Sequence, residues 1–262
     1  MSIQSGGIHR RTVQRLVANH VALDLTDREL LERFSNQKDE TAFEAIVRRH
    51  GIMVLAVARR ILENTHDAED VCQAAFLLLA QKAASCQWQP SIANWLHQTA
   101  HNLALKTRTA NARRARREKN AATQTPVDPL TEMTGRELLT VLDEELLALP
   151  EKTRAPLVLC YLEGATQDEA ARRLGCPLFT LKKRLERGRE RLNSALVRRG
   201  VGLSVTLLGT LTTPSSSAAA QSDFVRQTAQ IARTLAAGGS AEGVISSGVR
   251  QLLVGEIGRA HV

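Results

Sequence analysis

The 262 residues read as an all-α chain: two small helical domains joined by a flexible linker, with a weakly structured helical tail behind the second. Three observations lead there. Apolar residues recur at three- and four-residue intervals, the period of a helix with one buried face, and nowhere alternate through a β-branched run of strand length. Thr26 with Glu29, and Thr166 with Glu169, have the spacing of the reciprocal capping box that starts a helix. No Gly-rich loop follows a strand-like run, which sets aside the α/β nucleotide-binding folds.

Residues 1–24 suggest a short basic amphipathic helix in an N-terminal extension. The Thr26 cap then opens a helix with Leu30, Leu31 and Phe34 inward. Residues 40–62 form a long second helix whose stripe is Phe43, Ile46, Val47, Val54 and Ala58. A third helix is expected over 66–84, and a fourth over 91–117 that runs into a basic cluster. Residues 120–134 are rich in Ala, Thr and Pro without periodicity and read as a linker. Beyond them, Leu138, Leu142, Leu146 and Leu149 give residues 136–149 a helical stripe. Pro150 ends that helix, and Pro156 is expected in the first turn of the next, which closes near Gly164. Thr166 caps a short helix with Ala171 inward, ending at Leu174 and Gly175. Gly suits the left-handed position behind a helix, and Pro177 suits the first turn of the next. Leu181, Leu185, Leu192 and Leu196 are the inward stripe of that last helix. After Arg199 the composition turns small and polar. Residues 214–220 (PSSSAAA) read as a flexible link, followed by two modest helices over 223–237 and 241–254. The divisions are 1–24 (extension), 25–118 (first domain), 119–135 (linker), 136–199 (second domain) and 200–255 (C-terminal extension).

A formal net charge of +8 and a pI near 9.8 point to a polyanionic partner. Its distribution is more telling than its size. Residues 106–119 carry seven cations and one acid, and residues 182–199 carry eight cations and two acids, so each segment nets +6 and the rest of the chain nets −4. Two concentrated basic segments in a mildly acidic chain suit two DNA-facing surfaces. Cys72, Cys86, Cys160 and Cys176 form no CxxC pair and read as reduced thiols. His97 and His101 are four apart, but without further ligand spacing no metal is expected, and no cofactor. Residues 201–211, the longest apolar run, are too short and too rich in Gly and Thr to span a bilayer.

Residues 166–196 carry the most function. Two short helices with a Gly-containing turn, the second dense in Lys and Arg, make a helix-turn-helix whose second helix enters the major groove. An ordinary αα-hairpin with a solvated basic face is the other reading.

Several segments, in order, resemble the sigma-70 family of RNA polymerase sigma factors, in its extracytoplasmic-function group of the extended, planctomycete-like type. Asp67-Ala68-Glu69-Asp70-Val71 followed by Phe76-Leu77-Leu78-Leu79 is similar to the region 2 helix that docks on the polymerase clamp helices. Asn94-Trp95-Leu96 and Ala100-His101-Asn102-Leu103-Ala104-Leu105 resemble the segment that meets the −10 element and assists melting. Leu149-Pro150-Glu151-Lys152, Tyr161-Leu162-Glu163-Gly164 and the helix-turn-helix resemble region 4, which reads the −35 element. The resemblance spans residues 25–199 and assigns the first domain to region 2 and the second to region 4.

It implies core RNA polymerase and promoter DNA as partners, an anti-sigma factor as a further one, no small-molecule substrate and a cytoplasmic location. Asp67, Glu69, Asp70, Val71 and Phe76 are then the polymerase-binding residues; the apolar ones pack inward or against a partner helix. Asp67 and Asp70 also suit a helix N-terminus without any partner. Asn102 is the candidate base contact, and Trp95 reads as core, with stacking on an unpaired base as its other use. Arg108, Arg113, Arg114, Arg116 and Arg117 suit phosphate neutralisation; a disordered basic entrance to the linker would look the same. Phe179, Thr180, Lys182, Lys183, Arg184 and Arg187 lie off the leucine stripe and face DNA. Where many relatives have Arg, this chain has His101, a departure that bears on the nontemplate-strand contacts; where they often have Gly and Ser it has Phe179 and Lys183, and those two imply an altered −35 preference or stronger backbone contact.

The function expected is a non-enzymatic initiation factor that directs core polymerase to promoters and helps open them. A stand-alone helix-turn-helix regulator on operator DNA is the alternative, but it needs a ligand or dimerisation module in place of an acidic docking helix. No carboxylate, His or Lys cluster stands at catalytic spacing for a nuclease.

Residues 256–262 (EIGRAHV) do not continue the apolar stripe of Val249, Leu252 and Leu253, and they match one reading frame of a common sequencing adapter. They are therefore expected to be an adapter artefact, with the natural gene diverging near Gly255 and continuing into an extension that, in relatives of this type, sometimes spans a membrane. Resequencing the locus across the Gly255 codon is expected to show different codons beyond it; a native stop directly after Val262 would refute this.

Overall fold

The computed structural model describes residues 25–85, 90–119, 135–200, 218–239, 243 and 245–257. The N-terminal extension, the linker at 120–134 and Cys86 lie outside the described residues. Helices make up most of what is described: α1 Asp27–Gln37, α2 Glu40–Ile61, α3 Thr65–Lys82, α4 Ala93–Lys119, α5 Gly135–Ala148, α6 Glu151–Leu157, α7 Gln167–Arg173, α8 Leu178–Arg198, α9 Ala218–Ala236 and α10 Ser247–Ile257. No strand occurs among the described residues. The chain is all-α.

The helix starts follow from local chemistry. At α1 the Thr26 hydroxyl accepts from the Glu29 amide, and the Glu29 carboxylate accepts from the Thr26 amide at 2.7 Å. Asp39 caps α2 by accepting from the Thr41 and Ala42 amides, and Asn64 caps α3 by accepting from those of His66 and Asp67. Each such cap is worth about 1 kcal/mol. Lys38, in the left-handed region at φ 56°, ends α1 and allows α2 to start two residues later.

α2 is the axis of the fold and packs against α1, α3, α4, α5 and α9. Around it the Phe34 and Phe43 rings sit 4.5 Å apart, and Leu30, Leu31, Ile46, Leu77, Leu79, Leu96 and Leu103 are fully enclosed. In the second half α8 packs on α5, α6 and α7 through Leu181, Leu185, Leu192 and Leu196. Gly188 lets α8 approach α6: a Cβ there would stand 2.9 Å from the Thr153 carbonyl oxygen.

One helix start departs from expectation. α6 begins at Glu151, so Pro156 sits inside the helix and not in its first turn. Proline has no N–H for the carbonyl four residues back. The helix continues as a wider turn over Val158–Leu162, where the Glu163 amide donates to Val158 O, five residues back, and Gly164 ends it at φ 70°. Helix widening, not helix initiation, is how the chain accommodates Pro156. In the tail, the two helices are longer or later than expected. α9 starts at Ala218, and α10 runs to Ile257, so only residues 258–262 of the last seven lie outside the described residues.

The two halves meet through buried charge. Asp143 of α5 is fully enclosed and accepts from Arg60 Nη1 at 2.8 and 2.9 Å, with His97 Nε2 at 3.1 Å. Burial raises its pKa, but Arg60 and His97 outweigh that and hold it below the usual carboxylate range. Beside it Arg136 donates to the carbonyls of Arg59, Arg60 and Leu62, closing the C-terminus of α2. The second joint is a chain of alternating charge. Arg49 Nη1 donates to Asp27 at 2.5 Å, and His50 Nε2 lies 3.1 Å from Asp27. His50 Nδ1 contacts Glu163, and Arg173 donates to Glu163 at 3.0 Å.

Burial alone would lower the His50 pKa, but the Asp27 and Glu163 carboxylates raise it to about 9. Its contribution to stability is therefore complete below about pH 6.5, its value in the unfolded chain, and is lost as pH rises through about 9. Thermal unfolding across that window is expected to show a falling Tm. His50→Gln is expected to lower Tm at pH 6.5 and flatten the slope; an unchanged slope would exclude His50 as its source.

Candidate nucleic-acid and protein-docking interfaces

The turn into α8 is built by α7. The Glu169 amide donates to the Thr166 hydroxyl and the Glu169 carboxylate accepts from the Thr166 amide, so this box forms as the first does. At the far end Gly175 takes φ 59°; its amide donates to Arg172 O, and the Cys176 amide donates to Ala171 O. These are the paired bonds of a Schellman ending. Pro177 is the N-cap of α8, one position earlier than expected, with φ −58° and ψ 144°. α8 thus presents its N-terminal turns outward.

There Phe179 is 68% exposed, and Lys183 Nζ lies 4.5 Å above its ring, a cation–π contact that orients the ammonium. Lys182 and Arg187 are exposed, and Thr180 and Arg184 half-buried. Lys182 shares a groove with Gln167, Glu186, Arg189 and Glu190, so acids offset its charge locally. Four of the six, Phe179, Lys182, Lys183 and Arg187, thus stand on the outward side of α8, with Thr180 and Arg184 at its flanks.

α4 carries the second basic surface. It remains helical through Lys119, and Arg108, Arg113, Arg114, Arg116 and Arg117 are all exposed along its outer end, so the basic segment is a helix and not a disordered entrance. Asn102 is exposed at a cavity of about 220 Å³ lined also by Leu78, Lys82, Trp95, Gln98 and Thr99. Trp95 is half-buried, packing one side on the core while lining that cavity. His101, the next residue along, points inward and is 4% exposed; burial lowers its pKa. It belongs to the seam, not to a DNA surface. His97 is likewise engaged with Asp143, and the described residues contain no group of three His, Cys, Asp or Glu able to hold a metal ion.

The acidic residues of α3 are gathered but engaged. Asp67 accepts from Asn111 Nδ2 of α4 at 2.8 Å, Glu69 lies 3.9 Å from Arg59 of α2, and Asp70 accepts from the Ser246 hydroxyl at 2.8 Å. Val71 and Phe76 require a correction. Both are fully enclosed in the core, so they hold α3 in place and offer no surface to a partner in this arrangement. Sequence reasoning missed Glu163, whose buried carboxylate bridges His50 and Arg173, and Gly188; neither falls in a spacing that announces its role. Among the described residues no helix is long and apolar enough to cross a membrane.

A helix-turn-helix with an exposed basic second helix, beside a separate helix with a basic outer end, defines a DNA-binding protein. The family model described as Sigma-70 region 2 matches residues 46–114, and that described as Sigma-70, region 4 matches residues 139–192. The chain is 29% identical over 201 residues to the ECF RNA polymerase sigma factor SigM of Mycobacterium tuberculosis, covering 76% of this chain and 92% of that one. It is 29% identical over 187 residues to the ECF RNA polymerase sigma-E factor of Haemophilus influenzae, and 28% over 189 to that of Escherichia coli. Each alignment covers 67% of this chain and 98% of the relative. The chain belongs to the sigma-70 family of RNA polymerase sigma factors, in its extracytoplasmic-function group. Its function is promoter recognition and transcription initiation.

Replacing Arg113, Arg114, Arg116 and Arg117 together by Gln is expected to weaken promoter binding for every sequence and to reduce the log–log salt slope by up to about 3–4. Arg184→Ala is expected instead to relax preference at one or two −35 positions, by about 1–3 kcal/mol each. Equal loss on all promoters for both variants would abolish the division into anchoring and reading surfaces.

Proposed function

We propose that residues 25–118 serve as region 2, binding core polymerase and the −10 element, and residues 136–199 as region 4, reading the −35 element. Asp67, Glu69 and Asp70 form the surface offered to the polymerase clamp helices, where carboxylates steer and orient a basic partner. Arg108 and the four arginines beyond it neutralise backbone phosphates, while Asn102 and the Trp95-lined cavity receive a base that has left the stack. α8 enters the major groove, with Arg184 and Arg187 the strongest base-reading candidates and the Phe179–Lys183 pair held toward the backbone. The factor is no enzyme, needs no cofactor, and works in the cytoplasm on polymerase and promoter DNA.

The observation that supports this reading is the separation of the two basic surfaces onto helices of different halves, α4 and α8, with Asp67, Glu69 and Asp70 gathered in the first turns of α3. An operator-binding regulator needs one basic surface and no polymerase.

Run-off transcription on the DNA upstream of its own gene is the direct test. Purified core polymerase is expected to give a defined transcript only when this protein is added. Glu69→Arg with Asp70→Arg is expected to reduce co-purification with core at least tenfold while the helical circular dichroism is unchanged. Transcript without the protein, or full binding by the double variant, would displace the reading.

A further inference from the structure

The tail is not splayed away from the rest of the chain. α9 lies across α2 and α3, and α10 lies along α3. Val225, Ala229, Ile231 and Ala232 of α9 are buried, as are Val249 and Leu253 of α10. The edges are pinned by polar contacts: Arg233 Nε lies 3.4 Å from Glu40, and Lys38 Nζ donates to Ala236 O at 3.3 Å. At the N-terminus of α10 the Ser246 hydroxyl donates to Asp70. Gly248 sits so close above the same carboxylate that a Cβ there would stand 2.2 Å from Asp70 Oδ2. Glycine is what allows that approach.

We propose that α9 and α10 form an intramolecular cover over the acidic face of α3, and that this cover and core polymerase compete for it. The proposal rests on the docking role given to Asp67, Glu69 and Asp70. A partner helix that met Asp70 from the side of the tail would need the space beside its carboxylate that Ser246 and Gly248 occupy.

The seat is also made to be vacated. A cavity of about 310 Å³ remains between α2, α3 and α9, bounded by Gly51, Ile52, Leu55, Cys72 and Phe224. It opens to solvent and is rimmed by Arg59, Glu69 and Asp223, so water reaches the edge of the joint. The Thr228 hydroxyl is buried against the same joint with no hydrogen-bond partner, which further weakens it. The polar pins at the rim are partly exposed and screened by water and salt. Closing the halves on each other uses buried ion pairs at two places along α2; closing the tail on α3 uses an apolar contact beside an open groove, with partly exposed pins. The tail therefore leaves first.

Hydrogen exchange on the full chain tests this, with and without core polymerase. Amides of residues 218–257 are expected to be protected in the free protein and to lose protection in the complex. A second arm places Val249→Asp and Leu253→Asp together in the full chain. It is expected to raise exchange in α9 and α10 alone, and to tighten binding to core about tenfold if the covered state holds about nine-tenths of molecules. Amides of α1–α4 in the same experiment report whether the rest of the chain stays folded. Continued protection of 218–257 in the complex overturns the proposal, as does a released-tail variant that binds no tighter than the parent. If neither chain binds core at all, the docking role of α3 fails, and the cover with it.

Discussion

The second half of this molecule, α5 to α8, is located by two buried carboxylates, Asp143 and Glu163, and by the basic side chains that enclose them. A lone ion buried this way is costly, since water is lost on all sides. Here each carboxylate has a basic side chain on either side: Arg60 and His97 for Asp143, His50 and Arg173 for Glu163. α2 supplies both His50 and Arg60. At 1.5 Å rise per residue these stand about 15 Å apart along the helix. One contact alone would act as a pivot; two at that separation set the orientation of the second half as well as its place.

The same seam decides which way α4 faces. His97 and His101 are one helical turn apart and point toward α5, so Asn102, one residue on and rotated by about 100°, is turned outward. Farther along, α4 leaves the core altogether and its arginines are free of packing demands. A single helix thus serves as a wall of the interior in its first half and as a charged surface in its second.

The two capping boxes and the leucine spacing were legible in the sequence, while the Asp39 and Asn64 caps were not singled out. Thr26, Thr166 and Gly175 do what their neighbours along the chain demand, and the stripe from Leu181 to Leu196 is buried as its period requires. These are local arrangements, closed within a few residues. The exposed candidates on α4 and α8 were legible for the same reason, since a helix has a known outside once its inside is known. What could not be read was every pairing across long separations: His50 with Glu163, 113 residues apart, Arg60 with Asp143, 83 apart, and Asp70 with Ser246, 176 apart. No periodicity encodes such partners. Val71 and Phe76 were misjudged because an apolar residue beside acids on a helix has two possible neighbours, and only the packing of α3 against the rest shows which one it has. Pro156 was misjudged because a helix can absorb proline by widening as well as by starting there.

The enclosed ion pairs have one more effect. When an oily seam opens, two sticky faces are left in solvent, and they find each other or the wrong molecule. Drawing α5 and the Glu163 turn away from α2 and α4 would instead uncover Arg60, Asp143, His50, Glu163 and Arg173, groups that water solvates eagerly. Parted, the two halves would be readily wetted, and each could remain in solution by itself long enough to meet DNA at a different place.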